Sequence, residues 1–425
     1  MNTHATTWEE VSRPLWAGAS LLLRPLHAAL FFPSFLYLAT LTVFLFRPPD
    51  VHLYCADRIA FCALVFCVGL RALALGERLP FIARLSLPML GLIALAALRA
   101  LREPFDAQTW SLVAAKFIVP FTLFHLAILV FRSEPARAHF RIFVILTLAY
   151  LIFTSVAFLA DARALIFPSF ILDESMGFHF DRARGPFLQA VANGLSLNLL
   201  GLLAVAFAGR KRKVVLLMWL VLPLAILATM TRAVWISFAV SAVALVFRLG
   251  ERGLRRACVG LVFAGLVVSL IAGLGSNSLR NALQDRSEER GPLQARMAVY
   301  DAGWSMFRER PFAGWRAGGM YAELARRMEG YHLRSFYVHN TYLSMLIEFG
   351  IPGLALYAIL FFQLFRLARA GLHSGECESL RKIWPILLGV YLFNAFFVDM
   401  VYQFVTGLMF TVAGMLYAST QEGAR

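Results

Sequence analysis

Long apolar segments separated by short charged segments make up most of this chain. Many of the apolar runs are close in length to the ~20 residues with which an α-helix crosses a bilayer. Because backbone polar groups in lipid must be satisfied within the segment, the pattern predicts transmembrane helices. Hydropathy places about twelve spans along the chain. They are predicted at residues 28–46, 53–75, 85–101, 110–131, 140–160, 186–208, 214–230, 233–248, 257–273, 341–366, 383–398 and 401–419.

Residues 274–340 form the longest segment without a predicted span. Within it, Met297, Tyr300, Trp304 and Phe307 recur at spacings of three and four, which predicts an amphipathic helix with these side chains on its apolar face. This periodicity indicates an ordered segment rather than a disordered one.

Pro311 is predicted to end that helix, and a second helix is predicted at about residues 318–329. The chain then divides into residues 1–273 with spans one to nine, a helical loop at 274–340, and residues 341–425 with the last three spans and the C-terminus. We expect the loop to be a small helical cap on the outer mouth of the bundle.

The composition agrees with this pattern, since 60% of residues are hydrophobic and 15% are charged. A soluble protein carries more charged surface, so the predicted class is an all-α polytopic membrane protein. The net charge of +15 fits anionic lipid headgroups and an anionic substrate equally well. It does not indicate a nucleic-acid partner, because the charge lies in short loops rather than on one folded face. The five cysteines form neither a metal-binding box nor a disulfide framework.

The basic residues predict the orientation of the helices. Cytoplasmic loops carry an excess of Lys and Arg, and alternate loops of this chain are rich in them. Residues 161–185 and the 274–340 loop are then predicted on the outer side, and both termini on the cytoplasmic side. The basic loops are 76–84, 132–139, 209–213, 249–256 and 367–382.

Three arginines and one histidine are predicted on the outer face. Arg184 precedes span six, Arg232 lies in the tight turn between spans seven and eight, and Arg296 lies on the first loop helix. His339, followed by Asn340, stands where the loop re-enters the membrane. An arginine held in a tight outer turn between apolar helices is a functional hypothesis by default.

These residue types suit one reaction. A guanidinium stays protonated and offers a planar fork that fits phosphate oxygens. Several guanidinium groups would bind a diphosphate and stabilise it as a leaving group without a metal. A histidine titrates near neutral pH and can accept a proton from a sugar hydroxyl. The set therefore predicts displacement of a lipid-linked diphosphate by an alcohol.

Four motifs resemble those of the O-antigen ligase and polymerase superfamily of bacterial envelope glycosyltransferases. They are RGPFLQAVANG from Arg184, TRAVW around Arg232, QARMAVYDAGWSMFRERPFAGWRAGG around Arg296, and HNTYLSMLIEFGIPG from His339. The resemblance covers residues 184–353. It implies a GT-C-like helical membrane fold with a large periplasmic loop in the bacterial inner membrane, an undecaprenyl-diphosphate-linked glycan as donor, and no metal, nucleotide or other cofactor.

For the ligase, the resemblance implies transfer of the glycan to lipid A–core oligosaccharide with inversion at the anomeric carbon. It implies that His339 activates the acceptor hydroxyl and that Arg232, Arg296 and Arg184 bind the donor diphosphate. The family often has Asn-Pro-Asn after the first motif arginine. In this chain only Asn193 corresponds to that triplet.

Several alternatives stay open from the sequence. An O-antigen polymerase would use the same donor with another lipid-linked glycan as acceptor, and a protein O-oligosaccharyltransferase is a third member of the superfamily. A lipid or solute transporter would need charge at mid-membrane depth, for which Lys116 is one residue. Asn340 either caps the helix from Thr341 or orients the imidazole, while Tyr300 and Asp301 lie one turn after Arg296 and could position the acceptor.

Overall fold

The computed structural model describes the chain between residues 33 and 422, with several gaps. The described residues are 33–46, 55–78, 80–102, 104–177, 180–208, 212–248, 260, 291–315, 317–328, 336–369 and 376–422. The described part is helical and contains no strand.

Thirteen α-helices of the described residues are numbered in chain order. They are α1 Pro33–Leu45, α2 Ala56–Ala74, α3 Ala83–Ala100, α4 Ala107–Val130, α5 Glu134–Leu159, α6 Ala190–Ala206, α7 Arg212–Leu227, α8 Arg232–Arg248, α9 Gly291–Glu309, α10 Ala317–Arg327, α11 Thr341–Arg366, α12 Glu376–Asn394 and α13 Gln403–Glu422. Short 3₁₀ segments lie at Arg163–Leu165, Ser169–Leu172, Gly185–Phe187 and Leu367–Arg369, and α4 contains a π-helical segment at Ala114–Ile118.

The helices occur where apolar length predicts them. Each predicted span overlaps a helix of the structure except the ninth, at 257–273, of which only residue 260 is described. By length and composition, four helices of the described part could cross a membrane: α3, α4, α5 and α11. The count of about twelve spans and the GT-C-like fold stay predictions.

The bundle is built around helices that are buried on every side. Almost the whole length of α6 is buried, which marks it as a central helix. Helices α5, α7 and α12 pack around it, while α4 and α13 pack along each other. The buried hydroxyl of Tyr37 on α1 donates to the carbonyl of Leu123 at 2.9 Å and lies 2.7 Å from the Thr411 hydroxyl, so α1 is tied to both of them.

Helices α9 and α10 pack on the first part of α11, as the predicted helical loop requires. The packed face of α9 differs from the predicted one, however. Met297 and Trp304 are 59% and 44% exposed, whereas Val299 and Met306 are buried against α10 and α11. The aromatic spacing correctly predicts a helix but misplaces part of its buried side, because Gly303 lets α9 pack closely on α11.

Helix α11 is broken at Gly350, where the backbone has φ 65° and ψ −165°. The turn that follows α9 enters this break. The Trp315 amide donates to the carbonyl of Ile347 at 2.7 Å, and the Ile351 amide donates to the carbonyl of Pro311 at 2.8 Å. Backbone groups left unpaired by the break are therefore satisfied by the turn.

Arg99, at the end of α3, secures the same junction. Its guanidinium donates to the Trp315 carbonyl at 2.9 Å and also to the Glu348 carbonyl, and it lies over the Phe349 ring. Two stretches of the resemblance, PFAGW and EFGIPG, thus meet in space as a structural joint. We call residues 310–315 together with the break in α11 the joint.

Candidate functional site

The segment between α12 and α13, residues 395–402, forms the base of the candidate site. We call it the 395–402 turn. The Thr341 amide donates to the carbonyl of Ala395 at 2.8 Å, and the Thr341 hydroxyl donates to the carbonyl of Val398 at 2.8 Å. The Met400 amide in turn donates to the Thr341 hydroxyl at 3.1 Å. The start of α11 is therefore fastened to this turn.

His339 and Asn340 lie at that start. The Asn340 side chain accepts from the Leu343 amide at 3.0 Å, so Asn340 is the N-cap of α11. Its amide nitrogen lies 3.5 Å from the Tyr300 hydroxyl. His339 has φ 50°, in the left-handed region, and is exposed beside the ring of Phe336. The backbone therefore turns at His339, directly before the cap.

Helix α9 places Arg296 and Tyr300 one turn apart on the same side. The Tyr300 hydroxyl donates to the carbonyl of Phe396 at 3.1 Å, and the Arg296 guanidinium lies 5.9 Å from the centre of the Phe397 ring. Arg296 is exposed, so its hydrogen-bond donors can reach a ligand. Asp301 is also exposed. The structure therefore brings His339, Asn340, Tyr300 and Arg296 together.

Burial and neighbouring charges shift the pKa of His339. Burial of part of the ring and the nearby Arg296 guanidinium lower the pKa of His339, while Asp399 raises it and offsets part of that effect. A lower pKa keeps the imidazole neutral at physiological pH, and neutral imidazole is the form that can accept a proton.

Arg232 begins α8 after a tight turn. Residues 228–231 separate α7 from α8, and the Trp235 indole nitrogen donates to the carbonyl of Ile226 at 3.1 Å across this turn. Arg232 is exposed. The tight turn predicted between these helices is present. The Ala183 amide donates to the carbonyl of Ala228 at 3.0 Å, which connects this turn to the segment before Arg184.

Arg184 is buried and bonded to the 161–185 loop. Its Nε donates to the carbonyl of Ile171 at 2.9 Å, and its terminal nitrogens donate to the carbonyls of Met176 and Asp173. Nearby, the Asn193 amide donates to the carbonyl of Ala183 at 2.8 Å. This geometry favours a structural role for Arg184 and Asn193. Donor binding by Arg184 remains a prediction that these contacts do not favour.

A group of buried charges was missed by the sequence reasoning. The Lys116 amine lies 3.0 Å from the Glu348 carboxylate and 2.9 Å from the Asp399 carboxylate. Asp399 belongs to the 395–402 turn. The available signal was a lysine and a glutamate in two predicted spans, since charges inside spans are expected to pair. We call these three residues the ion cluster.

Comparison with known proteins bears on this arrangement. Residues 214–358 match the family model described as O-Antigen ligase. This part of the chain is similar to the O-antigen ligase family. The resemblance noted in the sequence is thereby confirmed. Among curated proteins, no sequence matches the chain.

The O-antigen ligase match contains three of the predicted site residues that remain accessible: Arg232, Arg296 and His339. Tyr300, Asp301 and Asn340 lie in it as well, whereas Arg184 precedes it. In the part of the chain that the structure describes, no group of three or more His, Cys, Asp or Glu side chains could hold a metal ion. The accessible polar groups near the site are guanidinium, imidazole, amide and phenol, together with the Asp301 carboxylate.

A substitution at Arg184 tests its structural role. Arg184→Lys should lower the thermal stability, because Arg184 donates to the three carbonyls from three separate nitrogens and a lysine has only one. Each buried carbonyl left unpaired costs about 1–3 kcal/mol. Thermal unfolding of the purified protein in detergent measures the effect. Arg163→Lys is the matched control, since Arg163 is in the same loop but pairs with Asp161 at an exposed position. An unchanged unfolding temperature for Arg184→Lys would contradict the structural role.

Proposed function

We propose that this protein is an inverting O-antigen ligase. It transfers a glycan from undecaprenyl diphosphate to a hydroxyl of lipid A–core oligosaccharide, on the periplasmic side of the inner membrane and without a metal. The observation that supports this most is the convergence of His339 and Arg296 on the 395–402 turn within a segment that matches the O-antigen ligase family.

The proposed reaction is a single displacement. His339 accepts the proton of the acceptor hydroxyl while that oxygen attacks the anomeric carbon. The bond from the anomeric carbon to the diphosphate oxygen breaks, and its electron pair stays on the diphosphate. Attack opposite the leaving group inverts the anomeric configuration.

The two accessible arginines carry the leaving-group charge in this proposal. Arg296 is within the electrostatic reach of His339 and keeps its donors exposed. Arg232 presents a second guanidinium from the start of α8. Charge-assisted hydrogen bonds from guanidinium to phosphate strengthen as the diphosphate develops its full negative charge, so they favour the transition state over the bound donor.

Transfer with purified components tests the proposal. The full chain in detergent is mixed with a synthetic undecaprenyl-diphosphate oligosaccharide and lipid A–core, with and without EDTA. We expect glycosylated lipid A–core with an inverted linkage, at the same rate in EDTA. Extension of a second donor molecule instead of lipid A–core would establish a polymerase, the closest alternative. Accumulation of substrate across vesicles without any new glycosidic bond would establish a transporter.

Substitution of the arginines by lysine tests the diphosphate contact. Arg296→Lys and Arg232→Lys should each lower kcat/KM for the donor by roughly 10- to 100-fold, because a lysine loses the bidentate fork. Arg308→Lys is the matched control, since Arg308 is exposed on the same helix as Arg296 but stacks on Trp304. Equal donor kinetics for Arg296→Lys and Arg308→Lys would remove Arg296 from the donor site.

A further inference from the structure

The ion cluster places three charged side chains in a mostly buried position. One lysine faces two carboxylates, and the side chains of Lys116, Glu348 and Asp399 are only 6%, 11% and 14% exposed. Removing charges from water is expensive, and a buried ion pair is often no more stabilising than apolar residues of the same volume. The cluster therefore calls for an explanation other than stability.

The backbone of α4 is altered where it carries Lys116. Residues Ala114–Ile118 form a π-helical segment in an otherwise α-helical span, with Lys116 at its centre. Such segments redirect the side chains around them and occur frequently at functional sites. Here the altered turn lets the Lys116 amine reach α11 and the 395–402 turn together, and it also lies 3.4 Å from the Ser344 hydroxyl.

The two carboxylates belong to different parts of the molecule. Glu348 belongs to the joint, where its own carbonyl accepts from Arg99. Asp399 belongs to the 395–402 turn and also accepts from the Ser344 hydroxyl at 3.3 Å. A side-chain substitution at Glu348 leaves its carbonyl bonded to Arg99, whereas a substitution at Asp399 acts on the base of the candidate site.

The 395–402 turn supports the residues assigned to chemistry. Thr341 and Tyr300 donate hydrogen bonds to its backbone carbonyls, and Arg296 lies over one of its aromatic rings. The Asp399 carboxylate also interacts electrostatically with His339. Within the turn, Asp399 is the side chain that connects this surface to the interior through Lys116. A shift of the turn would move the imidazole and the guanidinium relative to each other.

We propose that Lys116 is a positioning residue of the candidate site: through Asp399 it fixes the 395–402 turn against α11 and thereby sets the placement of His339, Arg296 and Tyr300. Its effect on glycan transfer rests on the proposed function, while its effect on the turn does not. The role accounts for an ionisable residue inside a span without any transport.

A pair of variants isolates the contact between Lys116 and Asp399. Glu348→Gln keeps that contact. The double variant Lys116→Met with Glu348→Gln breaks it, yet keeps the formal charge of the cluster at −1, because one carboxylate remains where one lysine and two carboxylates stood. Lys116→Arg with Glu348→Gln restores a cation and is the rescue. Asp399→Asn leaves Lys116 paired with Glu348 and breaks the contact from the other side.

Hydrogen–deuterium exchange and transfer kinetics are measured on each variant of the full chain in detergent. In the Lys116→Met double variant and in Asp399→Asn, we expect exchange of peptides covering 395–402 to be roughly tenfold faster. We expect kcat to fall by about 10²-fold, since small misplacements of reacting groups have effects of that size. Glu348→Gln alone should change neither the exchange of these peptides nor kcat. The Lys116→Arg rescue should restore most of the slow exchange and most of kcat.

The proposal fails if exchange in 395–402 is unchanged in the Lys116→Met double variant and in Asp399→Asn. It also fails if exchange rises equally in all helices and kcat simply follows the folded fraction. A wild-type protein without transfer activity, whose turn nevertheless responds to these variants as expected, would overturn the proposed function and leave the positioning of the turn established.

Discussion

His339→Asn should lower the rate of glycan transfer by roughly 10²–10⁴-fold, which is the contribution of a general base. Asparagine is the informative replacement because His339 has φ 50°. Asn adopts the left-handed region more readily than other residues with a Cβ, so the backbone before the Asn340 cap is retained while the base is lost. The measurement is kcat in the purified assay with donor and acceptor in excess.

His339→Ala provides the comparison. Alanine in the left-handed region costs about 1–2 kcal/mol, so this variant combines loss of the base with strain at the start of α11. We expect both variants to lose transfer and His339→Ala to be the less stable of the two. Donor binding should persist in His339→Asn, since the arginines are intact. Full activity of His339→Asn would refute the assignment of His339 as the base.

The pH dependence follows from the groups around the ring. A general base must be unprotonated, so kcat/KM falls as pH drops through the pKa of that base in the free enzyme. Because partial burial and Arg296 lower the pKa of His339, the acid limb should lie below the ordinary histidine value of about 6.5. In Asp399→Asn the limb should move further down, because Asp399 raises that pKa.

The helices could be predicted from the sequence because lipid makes apolar length a local signal. Span four, for example, is predicted at 110–131 and found in Ala107–Val130. The candidate residues of the loop stand in short motifs: His339 lies directly before the cap of α11, and Arg296 lies within α9. His339 and Arg296 are then brought together by the 395–402 turn, which lies some 60 and 100 positions further along the chain.

What could not be predicted depends on contacts between distant segments. The three members of the ion cluster come from α4, α11 and the 395–402 turn, and a single lysine in a span does not reveal its partners. The π-helical segment that aims Lys116 has no signature in residue type. Arg184 lies in a motif that resembles a ligand-binding one, yet its buried guanidinium donates to three backbone carbonyls of the 161–185 loop. Residue type alone does not predict those carbonyl partners.

Gly350→Ala should have the largest effect on stability. The dihedral angles of Gly350 fall in a region that only glycine populates. A Cβ there would lie 2.5 Å from the Pro311 carbonyl oxygen and 2.7 Å from that of Phe312, both of which are backbone atoms. Strain of about 1–3 kcal/mol for the backbone alone is expected, and the clash adds to it.

Two rearrangements could relieve that clash, and both disrupt the joint. If the 310–315 turn moves away, the Ile351 amide loses its partner carbonyl and α9 and α10 lose their anchor on α11. If α11 straightens instead, the Glu348 carbonyl moves away from Arg99. Gly314 has φ 60°, and a Cβ at this position would lie 2.6 Å from the same Glu348 carbonyl oxygen. Gly314→Ala should therefore act in the same direction.

Thermal unfolding and the yield of folded protein in detergent measure this effect. Gly389→Ala is the matched control: Gly389 is helical in α12, and a Cβ there meets no atom within 4 Å. That control should be stabilised by up to about 1 kcal/mol through helix propensity. Gly350→Ala should instead lose about 3 kcal/mol or fail to fold. A Gly350→Ala protein as stable as Gly389→Ala would mean that α11 does not need its break, and the joint would lose its role in placing the loop helices.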